Sequence, residues 1–288
     1  MTFSKTNLLA AIAAAGLLVP ATAIAATING GPAGERLRGT SLADTINGNG
    51  GNDRIRGFAG NDLLNGGRGN DRVFGGAGND AIRGVAGNDW LNGGPGDDAM
   101  VGDNNDTGDL TSFDRMFGAA GNDVMKGGDA ADRMSGGSGN DQLAGENGRD
   151  RMSGGTGDDV QAGGDGDDTI FANRGADVSS GGAGNDVLWA LARADVTPGA
   201  GGATDTVADT LDGGIGDDVF RARDGEADKI TCGPGLDRAL LDDVDVITDA
   251  TAENPKGSCE TVVRKAPKAN ESHSEDHEEK PAAEKISS

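Results

Sequence analysis

An aspartate returns every nine residues along most of this chain, and each one closes a glycine-rich hexamer. A first run holds Asp44, Asp53, Asp62, Asp71, Asp80, Asp89 and Asp98. A second holds Asp114, Asp123, Asp132, Asp141, Asp150, Asp159, Asp168, Asp177 and Asp186, and Asp209, Asp218, Asp228 and Asp237 follow. A short fixed period means one small unit stacked on copies of itself, because no single copy can bury its own apolar residue. That constraint outranks composition. With a net charge of −23 and 3 % aromatic residues, the chain would otherwise read as disordered. The acids sit in register, which disorder does not require. The 52 glycines do not fall every third residue, so a collagen helix is excluded.

The strongest copies read G-G-x-G-x-D, as in GGRGND at 66–71, GGAGND at 75–80, GGSGND at 136–141 and GGIGDD at 213–218. Two residues beyond the Asp there is usually an apolar side chain, among them Ile55, Leu64, Val73, Leu91, Met116, Met134 and Leu188. Glycine permits positive φ and close approach of neighbouring turns. The x-apolar-x triplet is a minimal strand with one side chain in and two out. Two nonamers then make one flattened coil of 18 residues with two facing strands. Arg115, Arg133 and Arg151, spaced by 18, support that longer period, and so do Arg54 and Arg72; Val124 and Gln142 stand at the same position in the intervening copies. Gln161 and Ser179 take the inward position with polar groups and mark a locally weak core.

In such a coil the aspartates of repeats n and n+2 stack about 4.8 Å apart. Two carboxylates at about 5 Å repel by roughly 0.8 kcal/mol even in bulk water, so a ladder of them calls for cations. Ca2+ suits such a ladder, being hard, oxygen-seeking and tolerant of backbone carbonyls. Mg2+ demands tighter geometry, and no His or Cys lies in the ladder to favour zinc. The two uninterrupted runs offer stacked pairs for on the order of a dozen ions. Twelve would bring +24, close to the −23 carried by residues 26–263.

The pattern resembles the RTX (hemolysin-type) calcium-binding nonapeptide family, with consensus G-G-x-G-x-D-x-U-x, over roughly residues 30–240. The resemblance implies an all-β fold, a right-handed parallel β-roll (β-solenoid) of nonapeptide repeats with a disulfide-linked C-terminal cap. It also implies Ca2+ held between turns by the sixth-position Asp and turn carbonyls. The ligand role carries over to Asp44, Asp53, Asp62, Asp71, Asp80, Asp89, Asp98, Asp123, Asp132, Asp141, Asp150, Asp159, Asp168, Asp177, Asp186 and Asp218. Asp114, preceded by DLTSF, and Asp209, Asp228 and Asp237 lie outside that set, and Glu35 in GGPAGE marks an imperfect first copy.

Around the repeats the chain divides into segments. Residues 1–25 read as a secretory signal: Lys5, the apolar run Leu8–Val19, Pro20, then Ala23-Ile24-Ala25 before a cut at Ala26. The mature chain is therefore expected to be secreted and extracellular. The roll is expected over 26–188, with an insertion at about 103–109. DNNDTGDLTSFD (103–114) places Asp103, Asn105 and Gly108 as in an EF-hand loop, but Thr107 and Asp114 depart from it, and a solvated loop is the plain reading. Residues 189–208 are an irregular loop or degenerate repeat, 209–263 the final repeats and cap, and 264–288 a charged disordered tail. Cys232 and Cys259, the only cysteines, are expected to form a disulfide in an exported chain.

Catalysis is not expected. The two histidines, His273 and His277, lie in the tail, and neither HExxH nor G-x-S-x-G occurs. The acidity argues against nucleic acid. No segment beyond the signal is apolar enough to span a membrane. The leading expectation is a secreted calcium-binding β-roll that folds on binding Ca2+, with a structural or calcium-buffering role. The alternative is a cell-surface adhesin or matrix module binding an anionic polymer.

Overall fold

The computed structural model describes residues 24–103, 112–190, 207–251, 254 and 256–265. Nearly all of the expected signal, most of the 103–109 insertion, most of the 189–208 loop and nearly all of the tail lie outside these residues.

The described chain is a parallel β-solenoid of about 11 turns, with no helix. Its strands form two 12-stranded sheets, and successive strands alternate between them. The first sheet runs from Thr27–Asn29 through Leu63–Arg68 and Gln142–Asn147 to Val246–Ile247. The second runs from Arg36–Arg38 through Arg54–Ala59 and Arg151–Thr156 to Thr261–Arg264. All pairing is parallel. The register is the expected 18 residues, with Ile46 on Leu64 in one sheet and Met134 on Met152 in the other.

The strands are longer than the triplet that the sequence pattern defines. In Arg54–Ala59 pairing runs from Arg54–Arg56 onto Arg72–Phe74, then resumes past the first glycine at Phe58 and Ala59. Backbone hydrogen bonds between coils need no side-chain pattern, so they continue into the glycines. Interruptions in the repeat leave the register intact. Trp90 pairs with Arg115 at a spacing of 25, and Val178 pairs with Thr210 at a spacing of 32.

The interior is one file of apolar side chains from each sheet. Ile46, Leu64, Ile82, Met100 and Met125 face Ile55, Val73, Leu91, Met116 and Met134, all essentially without solvent exposure. Each such side chain contributes about 1.5–3 kcal/mol by leaving water. The file is interrupted at Gln161 and Ser179, both buried, where the Ser179 hydroxyl donates to Gln161 Oε1 at 3.1 Å. A second cluster, including Leu211, Phe220, Ile230 and Leu241, closes the C-terminal end. The Cys232–Cys259 disulfide is formed within it, with Cα atoms 5.2 Å apart.

Candidate metal centres

Each nonamer ends its turn with an aspartate immediately before the next strand, so alternate aspartates fall on opposite edges of the flattened coil. Two carboxylate columns result. One runs through Asp53, Asp71, Asp89, Asp114, Asp132, Asp150, Asp168, Asp186, Asp218 and Asp237. The other runs through Asp44, Asp62, Asp80, Asp98, Asp123, Asp141, Asp159, Asp177, Asp209, Asp228 and Asp245. At each step the backbone N–H of one aspartate donates to Oδ1 of the aspartate one coil later, as from Asp141 to Asp159 at 2.8 Å. All sixteen expected ligands stand in these columns, and Asp114, Asp209, Asp228 and Asp237 occupy the same geometry. Among the described residues there are nine aspartate-to-aspartate steps on one edge and ten on the other, because the insertions do not break the columns.

One column end follows from the repeat pattern, and the C-terminal ends do not. Glu35 begins one edge by donating its N–H to Asp53 Oδ1 at 2.7 Å, in the register its hexamer indicates. Glu260 ends that edge by accepting the Asp237 N–H at 2.6 Å, and Asp245 ends the other by accepting from Asp228 at 3.2 Å. Neither Glu260 nor Asp245 follows a glycine hexamer, so no sequence signal marks them. A parallel file at the fifth repeat position was also missed. Asn52 Oδ1 accepts the Asn70 N–H at 2.9 Å, and Asn122 Oδ1 accepts the Asn140 N–H at 2.8 Å. This file is exposed and accepts from the later coil, opposite in sense to the aspartates. Its signal was the Asn-Asp or Asp-Asp pair closing the strongest copies.

The second oxygen of each aspartate carries the chemistry. Oδ2 of Asp71, Asp80, Asp132, Asp141 and Asp218 is buried without any hydrogen-bond partner. It lies over the first glycine of its own hexamer. A Cβ on Gly136 would collide with Asp141 Oδ2 and with the Gly154 carbonyl oxygen one coil on. The first glycine is thus required by a close approach, which leaves a polar cradle of one carboxylate oxygen and one carbonyl. Burial pushes these carboxyls upward, against the lowering effect of the donated N–H, and neighbouring column charges add to the rise. Asp141 reaches about 7, Asp132 about 8 and Asp89 about 9.

Orphaned, buried, oxygen-only donors next to turn carbonyls fit a hard divalent cation. Among the described residues no three His, Cys, Asp or Glu side chains converge as a metal-binding group. A cation here would therefore be held by the column aspartates, with turn carbonyls completing its shell. Ca2+ accepts such a donor set, whereas zinc lacks its usual nitrogen and sulfur ligands. Bound there, the ion supplies the positive charge that lets buried carboxylates stay ionised.

The RTX calcium-binding nonapeptide repeat (4 copies) matches residues 38–73, 74–107, 111–143, 126–161, 153–188 and 204–226, together more than half of the chain. No match is found among the curated proteins. Residue pattern, solenoid and carboxylate columns agree with that match, and the chain belongs to the RTX calcium-binding nonapeptide repeat family.

Proposed function

We propose that this is a secreted calcium-binding protein whose roll assembles as Ca2+ enters between stacked turns, and whose role outside the cell is structural or calcium-buffering. The observation that carries the reading is the pair of buried columns with orphaned Oδ2 atoms. A chain with this many buried carboxylates cannot keep them ionised and folded without countercharge. Binding and folding are then one event. Low cytosolic calcium would hold the chain unfolded for export, and the apolar run after Lys5 supplies the export signal. The sixteen aspartates of the repeat ligand set act as ligands, and no catalytic step is assigned to them. The alternative adhesin reading is not needed to explain the columns.

The test is to express the full chain in a secreting host and examine the exported protein. The reading expects a mature N-terminus at Ala26 and resistance to protease in Ca2+ that is lost in chelator. A chain retained in the cell with residues 1–25 intact, or equally resistant in chelator, contradicts it.

A further inference from the structure

The charge of this molecule is sorted by surface. The acidic columns occupy the two edges, but the second sheet's twelve strands contain twelve arginines and not one Asp or Glu. The first sheet's strands hold four basic and five acidic residues, so the asymmetry belongs to one face. Arg115, Arg133 and Arg151 pair directly in register, as do Arg54 and Arg72. Like charges stacked on neighbouring strands cost stability. A chain of net charge −23 has acids to intersperse there and does not use them.

The same face collects the aromatic side chains. Phe74, Trp90 and Phe117 form a continuous strip, with ring centroids 4.7 and 5.5 Å apart, and Phe171 stacks on Trp189 at 5.6 Å. Arginines lie over these rings: Arg56 over Phe74 at 5.4 Å, Arg151 over Phe171 at 4.7 Å and Arg221 over Trp189 at 4.4 Å. Each ring restrains the guanidinium that lies over it.

We propose that this face binds a linear acidic polysaccharide, a uronate-bearing chain laid along the solenoid axis. Planar guanidinium groups suit carboxylates. The apolar strip suits the C–H faces of sugar rings. The coil rise of about 4.8 Å is close to the length of one pyranose residue, so successive arginines can meet successive sugars. The x-apolar-x triplet that carries the arginines spans only about 10 Å across each strand, between the two turn edges. That width admits a single chain, and the exposed edge carboxylates of Asp97, Asp158 and Asp217, outside the buried columns, oppose the closely spaced phosphates of a nucleic acid more than the sparser charges of a uronate polymer. The proposal rests on the roll being folded with calcium, so folding is measured beside binding.

The experiment uses the mature, calcium-loaded chain with hyaluronan fragments as the uronate probe, and dextran and single-stranded oligo(dT) as comparisons. Circular dichroism and bound calcium are followed on the same samples. We expect hyaluronan to bind and dextran and oligo(dT) to bind at least tenfold more weakly. Replacing Arg72, Arg115, Arg133 and Arg151 together by Gln should weaken binding roughly 10- to 100-fold through four lost charge contacts, and flatten its salt dependence. Arg83→Gln with Lys126→Gln on the first sheet should leave binding unchanged. Replacing the same four arginines by Lys keeps the charge and guards against misfolding of the Gln variant; it should bind with intermediate affinity. A folded, calcium-loaded chain that ignores hyaluronan overturns the proposal and leaves the calcium reading standing. Equal binding to dextran or oligo(dT), or equal loss in the first-sheet variant, also overturns it. A chain that gains no β-structure with calcium fails the underlying reading instead.

Discussion

Replacing Asp132 by Asn should stabilise the metal-free fold and weaken the calcium response in the same molecule. Asp132 is 2 % exposed, and its Oδ1 accepts the Asp114 N–H at 2.8 Å, which an amide oxygen can do equally well. Its Oδ2 and the Gly145 carbonyl oxygen both border the space that a Cβ on Gly127 would take, and a neutral amide there has no charge to bury. Burial raises the Asp132 carboxyl from 3.8 to about 8; the Asp114 N–H works against this, and the charges of Asp114 and Asp150 add to it. Between those values the folded chain keeps a proton that the unfolded chain has released. Metal-free stability therefore falls as pH rises through the window and is greatest below it. At pH 7 the cost is about three pH units, or on the order of 4 kcal/mol, and about half that once neighbours relax and solvent enters. An amide does not titrate and escapes this cost. With calcium the sign reverses, because one ligand charge is gone, and the calcium midpoint should rise roughly tenfold for a loss of about 1.4 kcal/mol. The assay is far-UV circular dichroism of metal-stripped protein from pH 8 to pH 4, paired with a calcium titration at pH 7. The variant should gain β-signal at a higher pH than the parent and need more calcium. A variant less folded under both conditions, or a metal-free parent that gains β-structure as pH rises, would refute the reasoning.

Three further outcomes follow from the geometry. Gly136→Ala places a Cβ against Asp141 Oδ2 and the Gly154 carbonyl, and should cost about 1–3 kcal/mol in calcium-loaded stability by urea titration. Val85 has φ 94° at the second position of its hexamer, where glycine is usual, and Val85→Gly should stabilise by about 1 kcal/mol on thermal melting despite glycine's entropy. Removing the Cys232–Cys259 bridge with paired Ser substitutions opens a loop of sequence separation 27 and should cost about 3–4 kcal/mol, read as a lower denaturant midpoint in calcium.

Much of this architecture was legible because a nonamer has little freedom. The Asp period fixed the turns, the apolar residue two places on fixed the inward file, and the Arg115–Arg133–Arg151 spacing fixed the 18-residue coil. Gln161 and Ser179 marked the weak inner site correctly. What escaped the pattern was set by contacts between coils. Asp114 has lost its glycines, yet the backbone of Asp89 and the carboxylate of Asp132 hold it in the column. The strands outrun their triplets because hydrogen bonding continues through glycine. Glu260 and Asp245 reach the column ends from a cap with no repeat, so only the folded chain reveals them.

We propose that countercharge and folding are one event in this molecule. The most direct test is a Ca2+ titration of residues 26–288 by far-UV circular dichroism, with Mg2+ as the comparison. The account predicts a cooperative coil-to-β transition with Ca2+ and none with Mg2+ at the same concentrations. A chain fully β-structured in chelator at neutral pH, or indifferent to Ca2+, would contradict it, because the buried columns would then be stabilised by something else.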